Sequence, residues 1–184
     1  LEGSATRTPD ATFPFGMHVA IVEVDPDTGD VEIERYVAVD DCGVPLNPRL
    51  VEGQIVGGVV NGLGQALYEN AIYDDNGTLV TGSMQDYAVP KAMHIPDMET
   101  DSTVTESPHN PLGVKGVGEA GTIAAPQAVV NAVADALEPF GVDGIEMPMT
   151  AERVWQAIDG QAATDGGPAG QTGDDPGPTS GGER

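Results

Sequence analysis

The run Gly113-Val114-Lys115-Gly116-Val117-Gly118-Glu119 sets one carboxylate at the end of a glycine-rich loop, just ahead of an apolar pattern of helical spacing that starts at Pro126. Glycine lets a backbone take φ > 0 and approach a bulky ligand closely. A carboxylate held on such a stiff frame is presented as a general base has to be. Taken alone, the loop is read more simply as a tight turn with a solvated glutamate, and only the rest of the chain tips the reading toward chemistry.

Other chemistries fit the residues less well. Gly116-x-Gly118-x-x-Gly121 has the letters of a dinucleotide-binding fingerprint, but that motif needs a strand directly before it. Here Pro108-His109-Asn110-Pro111 intervenes. Glu119 would also put negative charge where a pyrophosphate docks on helix N–H groups. No G-x-S-x-G elbow surrounds a serine, so an α/β-hydrolase nucleophile is not supported. Asp40 and Asp41 are adjacent on a strand and point to opposite faces; a solvated turn is their expected setting. His18, His94 and His109 lie far apart without ligand spacing, so no protein-ligated metal site is expected. Cys42 is the sole cysteine, which excludes an internal disulfide framework and leads to the expectation of a reducing, cytoplasmic setting.

The elements that must position the loop can be read in order. His18–Val24 and Val31–Val39 alternate and are rich in Val and Ile, as half-buried strands are. Asp25-Pro26-Asp27-Thr28-Gly29-Asp30 between them is turn chemistry, so the two form a hairpin. Asn47-Pro48 reads as an N-cap and first helical residue of a helix to about Tyr68. Gly53/Gly57 and Gly58/Gly62 recur four apart in it, which implies either a ligand or a close neighbouring backbone against that helix. A second short hairpin is expected at 71–80 around Asn76-Gly77, and a strand over 99–106. From Pro126 a helix is predicted until Pro139, and a last short one from Thr150 through Ile158. The predicted fold class is therefore α+β, two β-hairpins packed with about three helices, over residues 1–158. Residues 159–184 are rich in Gly, Pro and Asp and are expected to be a disordered tail.

Composition narrows the partners. Against seven basic residues stand 30 acidic ones, for a formal net charge of −23 in 184 residues. Phosphates are repelled by such a surface, which argues against nucleic acid or an anionic membrane. Ile55–Leu67, the longest apolar stretch, carries Asn61 and Gln65 and is too short and polar to span a bilayer. Acidic residues spread along the whole chain, with Lys91 and Lys115 as its only lysines, read as a halophile's surface. The start at Leu1 suggests a fragment.

Several segments read together resemble one family. They are Val37-Ala38-Val39-Asp40-Asp41-Cys42-Gly43, Leu46-Asn47-Pro48, Val51-Glu52-Gly53-Gln54-Ile55-Val56-Gly57-Gly58, Gly62-Leu63-Gly64-Gln65-Ala66-Leu67-Tyr68-Glu69, Asn110–Glu119, Ala125-Pro126, Val130-Asn131-Ala132 and Met147–Trp155. In that order, over about residues 13–158, they resemble the C-terminal part of the molybdenum-binding large subunit of the xanthine dehydrogenase/aldehyde oxidase family, nearest to its aerobic carbon monoxide dehydrogenase branch. The resemblance implies an oxidoreductase with a molybdenum–molybdopterin cofactor, in this branch usually the cytosine dinucleotide form. It implies that Glu119 is the base that takes the proton from metal-bound hydroxide as that hydroxide attacks a small-molecule substrate. Gln54, Gly57, Gly58, Lys115, Gly116, Val117 and Gly118 are the implied cofactor contacts. Implied partners are the remainder of the molybdenum subunit, an iron–sulfur subunit and an FAD-bearing flavin subunit. Cys42 does not match the copper-binding cysteine of that branch, and the isolated chain is expected to be inactive. The alternative is a non-catalytic acidic fragment or assembly module that keeps only the fold and the subunit interface.

Self-repulsion in so acidic a chain destabilises the compact state, and screening relieves it as the Debye length falls from ~10 Å at 0.1 M to ~3 Å at 1 M salt. The melting temperature of the chain is expected to climb steeply with KCl. A value flat between dilute and molar salt would remove the halophile reading.

Overall fold

The computed structural model describes residues 3–165 other than 7 and 9. Its sheet starts from the expected hairpin: β1 (Phe15–Val24) and β2 (Val31–Asp41) pair antiparallel from Phe15↔Asp41 to Val24↔Val31. The connecting turn is closed by the Gly29 N–H donating to the Asp25 carbonyl at 2.7 Å and by the Asp25 carboxylate accepting the Asp27 N–H at 2.9 Å. The register slips between Ile21↔Arg35 and Val22↔Ile33, so Glu34 is an extra residue on β2. Such a bulge shifts the inward set by one. Ile33 is buried on one side of it and Tyr36, Ala38 and Asp40 on the other.

β3 (Met98–Ser102) pairs parallel to β2, with Tyr36↔Met98 through Asp40↔Ser102, giving the order β1-β2-β3. The strand expected over 99–106 is therefore present but ends at Ser102, where Thr103 leaves the sheet toward Asp41. A parallel partner needs a crossover, and the connection from β2 to β3 carries α1 (Pro48–Leu67). Asn47 caps α1 as expected: its side-chain oxygen accepts the Leu50 N–H at 3.3 Å. The second hairpin is reduced to an isolated bridge, Tyr73↔Leu79, around Asn76-Gly77. Its flanking residues are exposed, so no apolar face extends the pairing.

α2 runs Ala120–Leu137 and so starts six residues before Pro126, which lies inside it. Proline in a helix forfeits a backbone bond and crowds the preceding turn. Here its ring has room because the facing residue of α1 is Gly62, whose added Cβ would stand 2.8 Å from Pro126 Cδ. α3 (Ala151–Asp165) begins after Thr150, whose hydroxyl oxygen accepts the Arg153 N–H at 3.4 Å. It continues through Asp165, past the expected end at 158; the remainder of the predicted tail lies outside the described residues. The architecture is α+β, with Tyr36 and Ala38 of the sheet packed with Val59 and Leu63 of α1, Val129 and Val133 of α2, and Val154 of α3.

The glycines of α1 divide into two sets, apart from Gly64, which faces Glu69 and Pro90. A Cβ at Gly58 would come within 2.8 Å of the Thr122 nitrogen, one at Gly62 within 2.6 Å of Ala125 Cβ, and one at Gly121 within 2.8 Å of the Val59 nitrogen. These three let α1 and α2 touch backbone to backbone. Gly53 and Gly57 have open space where a Cβ would go. Gly121→Ala is expected to destabilise the chain by about 1–3 kcal/mol through overpacking. Gly57→Ala is expected to stabilise it by up to about 1 kcal/mol through helix propensity. Urea unfolding of the two variants checks this, and equal effects would contradict the division.

Candidate functional site

The glycine loop is fixed to the end of β2 before it reaches Glu119. Gly43 and Val114 form an antiparallel bridge, the Lys115 N–H donates to the Cys42 carbonyl at 2.8 Å, and the Val44 N–H donates to Gly113 at 3.1 Å. Gly43 and Gly113 both have φ of +67° at this bridge. They supply the left-handed conformation expected of the loop, whereas Gly116 and Gly118 do not adopt it. Asn110 closes the approach to the bridge, its side chain accepting the Val114 N–H and donating to the Val114 carbonyl.

Below the bridge lies a buried ion pair. Lys115 Nζ donates to Asp41 Oδ1 at 2.9 Å, with the two side chains 7% and 0% exposed. Asp41 also accepts the Gly43 N–H at 2.9 Å and the Thr103 hydroxyl at 3.1 Å. Burial alone would push its carboxyl up, but the bonds from Gly43, Lys115, Thr105 and Thr103 outweigh it and hold the group far below the ordinary carboxylate range. The ring of Phe15 lies 4.6 Å from the Lys115 ammonium, within reach of a cation–π contact. On the opposite face of β2, Asp40 Oδ2 lies 3.1 Å from His18 Nε2, and His18 Nδ1 lies 2.9 Å from the Tyr36 hydroxyl. Burial, and then the charge of Asp40, push the Tyr36 phenol well above its usual range.

The two aspartates thus face opposite ways as expected, but neither is solvated: Asp40 is 5% exposed and Asp41 fully buried. What each faces, a histidine 22 residues away and a lysine 74 residues away, is outside any local reading. The one available signal was that lysine is so rare in this chain. Lys115 is in the expected loop, but its ammonium is committed to Asp41 and is not free for a ligand. Gly58 likewise turns toward α2 rather than outward.

The remaining predicted residues do come together. Gln54 Oε1 would stand 3.9 Å from a Cβ on Gly118, which brings the Gln54 amide beside the loop. Gly57 is on the same face of α1, one turn on. Gly116 has open space where a side chain would be. Val117 lines, with Gln54, Leu50 and Val44, an open cleft of about 300 Å³ between the start of α1 and the loop. Glu119 is exposed at the N-cap of α2, its side chain makes no capping bond, and its carbonyl accepts the Ile123 N–H at 3.1 Å. The site is an uncommitted carboxylate beside bare backbone and one amide. Among the described residues there is no cluster of three or more His, Cys, Asp or Glu fit to hold a metal, and no helix long and apolar enough to cross a membrane.

Because the Asp41 carboxyl is depressed in the folded state, its stabilisation is complete above the unfolded value near 4 and is lost as pH falls through the folded one. Lys115→Met leaves that carboxylate buried without its cation, at a cost of about 3 kcal/mol, the lower end for a broken buried pair because the other donors remain. The deficit against the parent chain is expected to be largest at neutral pH and to narrow on acidification; a pH-independent deficit in urea melts would show that the pair does not carry it.

A molybdopterin cofactor-binding domain model matches residues 2–96. The chain is 40% identical over 150 residues to the carbon monoxide dehydrogenase large chain of Hydrogenophaga pseudoflava, covering 82% of this chain and 19% of that one. It is 49% identical over 148 residues to the nicotine 6-hydroxylase large subunit of Paenarthrobacter nicotinovorans, covering 80% and 18%. The solved structure of reconstituted CO dehydrogenase from Oligotropha carboxidovorans superposes with a TM-score of 0.80 at 38% identity, over 83% of this chain and 19% of that one. The chain spans about a fifth of the length of the relatives it matches. Its fold is part of a molybdenum-cofactor-binding domain, and the chain belongs to the molybdopterin cofactor-binding family of molybdenum oxidoreductase large subunits, that of xanthine dehydrogenase and aldehyde oxidase.

Proposed function

We propose that this chain is the C-terminal cofactor-binding segment of a cytoplasmic molybdenum hydroxylase that oxidises carbon monoxide, an aldehyde or an aromatic heterocycle, with Glu119 as its general base. The observation that carries this is the bare backbone beside Glu119. Gly57 and Gly116 have open space where a Cβ would be, with the Gln54 amide beside Gly118. Helix glycines each cost about 1 kcal/mol against alanine, and internal packing does not explain the outward ones. A bulky pterin does explain them, since it needs close backbone approach.

The residues present fit such a group. Gln54 would hold it through its amide, Gly116 and Gly118 through their backbone, and Gly57 by leaving room on α1. When bound, a molybdenum cofactor would supply the two-electron acceptor and an activated oxygen. Glu119 takes a proton at its carboxylate from the attacking oxygen. The carboxylate makes no capping bond that would compete for it, and the loop is held by the Gly43–Val114 bridge and the Lys115–Asp41 pair. The cytosine dinucleotide form of the cofactor and partner subunits carrying iron–sulfur clusters and FAD complete this reading.

The test is made on the complete multi-subunit enzyme. Glu119→Gln keeps the side chain's shape but removes the base, and turnover normalised to molybdenum content is expected to fall by about 10²–10⁴. A solvated bystander would change stability by no more than about 0.5 kcal/mol and leave the rate alone. A variant with normal molybdenum that keeps more than about a tenth of parental kcat shows that Glu119 is not the base.

A further inference from the structure

Three buried polar side chains take no part in the proposed chemistry. The side chains of His18 on β1 and Asp40 on β2 are 1% and 5% exposed, and Tyr36 is fully buried. Their bonds run in one direction. A carboxylate only accepts, so His18 Nε2 carries the proton of its 3.1 Å bond to Asp40 Oδ2. The Tyr36 phenol, pushed up by burial and then by the charge of Asp40, keeps its hydrogen and gives it to His18 Nδ1 at 2.9 Å. A doubly protonated ring would leave that hydrogen without its acceptor inside the core. The chain from Tyr36 through His18 therefore ends in a carboxylate of one orientation. Its other oxygen lies over Gly16, where an added Cβ would overlap it.

Asp40 lines, with Gly16, Ala120, Ile123 and Ala124, a cleft of about 130 Å³ between the sheet and the start of α2. That start has no anion of its own: the first turn contains no acidic residue and the Glu119 side chain makes no capping bond. Among the described residues, the Ala120 N–H donates to the Val117 carbonyl and the Ile123 N–H to that of Glu119, which leaves the Gly121 and Thr122 N–H groups unmet. The positive end of a helix attracts negative charge, and Glu119 is the nearest carboxylate in sequence. We infer that Asp40, aimed by His18 and Tyr36, is a positioning residue for Glu119. Its charge serves the positive end of α2, so the Glu119 carboxylate is not drawn back onto Gly121 and Thr122 and stays open to a reacting group. This rests on the reading of Glu119 as the base. No other charge competes for the role: Lys115 and Asp41 are paired with each other across the opposite face of β2, and the α2 residues lining the cleft are uncharged.

Two measurements on the 184-residue chain test this without any cofactor. NMR of the parent chain with its histidine ring nitrogens labelled is expected, at neutral pH, to show His18 protonated at Nε2 alone. A ring protonated at Nδ1, or at both nitrogens, would overturn the chain of bonds. Asp40→Asn keeps the shape and can still accept from His18, but it removes the charge. It is expected to speed amide exchange at Ile123 and Ala124 about tenfold relative to Val133 in the middle of α2. Unchanged exchange at Ile123, or an equal rise at Val133, counts against the role of the charge. In the complete enzyme, Asp40→Asn is expected to lower kcat about tenfold at normal molybdenum content, with KM within about twofold. It is expected to cost nothing further in the Glu119→Gln background, because it acts through that residue. A kcat per molybdenum close to the parental value, a loss carried by KM, or an equal loss in both backgrounds would overturn the inference. If Glu119→Gln alone leaves the rate unchanged, the base reading fails, and the exchange rates still decide whether Asp40 serves α2.

Discussion

Everything near Glu119 depends on two helices touching through their backbones. Gly58 and Gly62 of α1 face Gly121, Ala125 and Pro126 of α2, and a side chain at any of the three glycines would overlap main chain or ring atoms. Interiors are close-packed and tolerate little added volume. The approach therefore fixes the height of the α2 N-terminus on α1, and with it the position of Gly118 beside Gln54. The bridge from Cys42 to Lys115 fixes the other end of the same loop. Glu119 sits at the junction, held by what surrounds it rather than by bonds of its own side chain.

The two ends are anchored by different physics. At α1 and α2 the contact is steric and apolar, and salt or pH barely touches it. At the end of β2 it is a buried charge pair with three further donors on Asp41, from Gly43, Thr103 and Thr105. A buried pair is weak evidence for stability, because desolvation offsets much of the attraction. What it does supply is direction: a planar carboxylate already engaged by Gly43, Thr103 and Thr105 accepts one placement of Lys115, and hence one path for the loop.

Local chemistry made part of this legible. Asp25–Asp30 announces its turn and Asn47-Pro48 its cap, because those residues act on their own neighbours. The start of α2 was not legible, because Pro126 obeys a local rule that places it in a first turn, and only a glycine some sixty residues earlier lets it sit deeper. The second hairpin forms at Asn76-Gly77 as its turn signal implies, but only as the Tyr73–Leu79 bridge, because no apolar face extends the pairing. Asp40 and Asp41 show the limit most plainly. Their opposite orientations follow from strand geometry, yet what each meets is set by segments far along the chain. Of the predicted contacts, Gln54, Gly57, Gly116 and Gly118 stood out by type and spacing, while the inward turns of Gly58 and Lys115 required the packing to be seen.

The spacing of these contacts along the chain has a kinetic consequence. The β1–β2 hairpin closes over a short loop; the parallel β2–β3 pairing, the glycine contact of α1 with α2 and the Cys42–Lys115 bridge each join segments about sixty or more residues apart. Long closures are costly in entropy and slow folding, and segments synthesised first can fold before later ones arrive. The two strands of the hairpin are therefore within reach of one another before β3 and α2 have been made. Glu119 acquires its surroundings late in the process, when the last third of the chain closes back on the first.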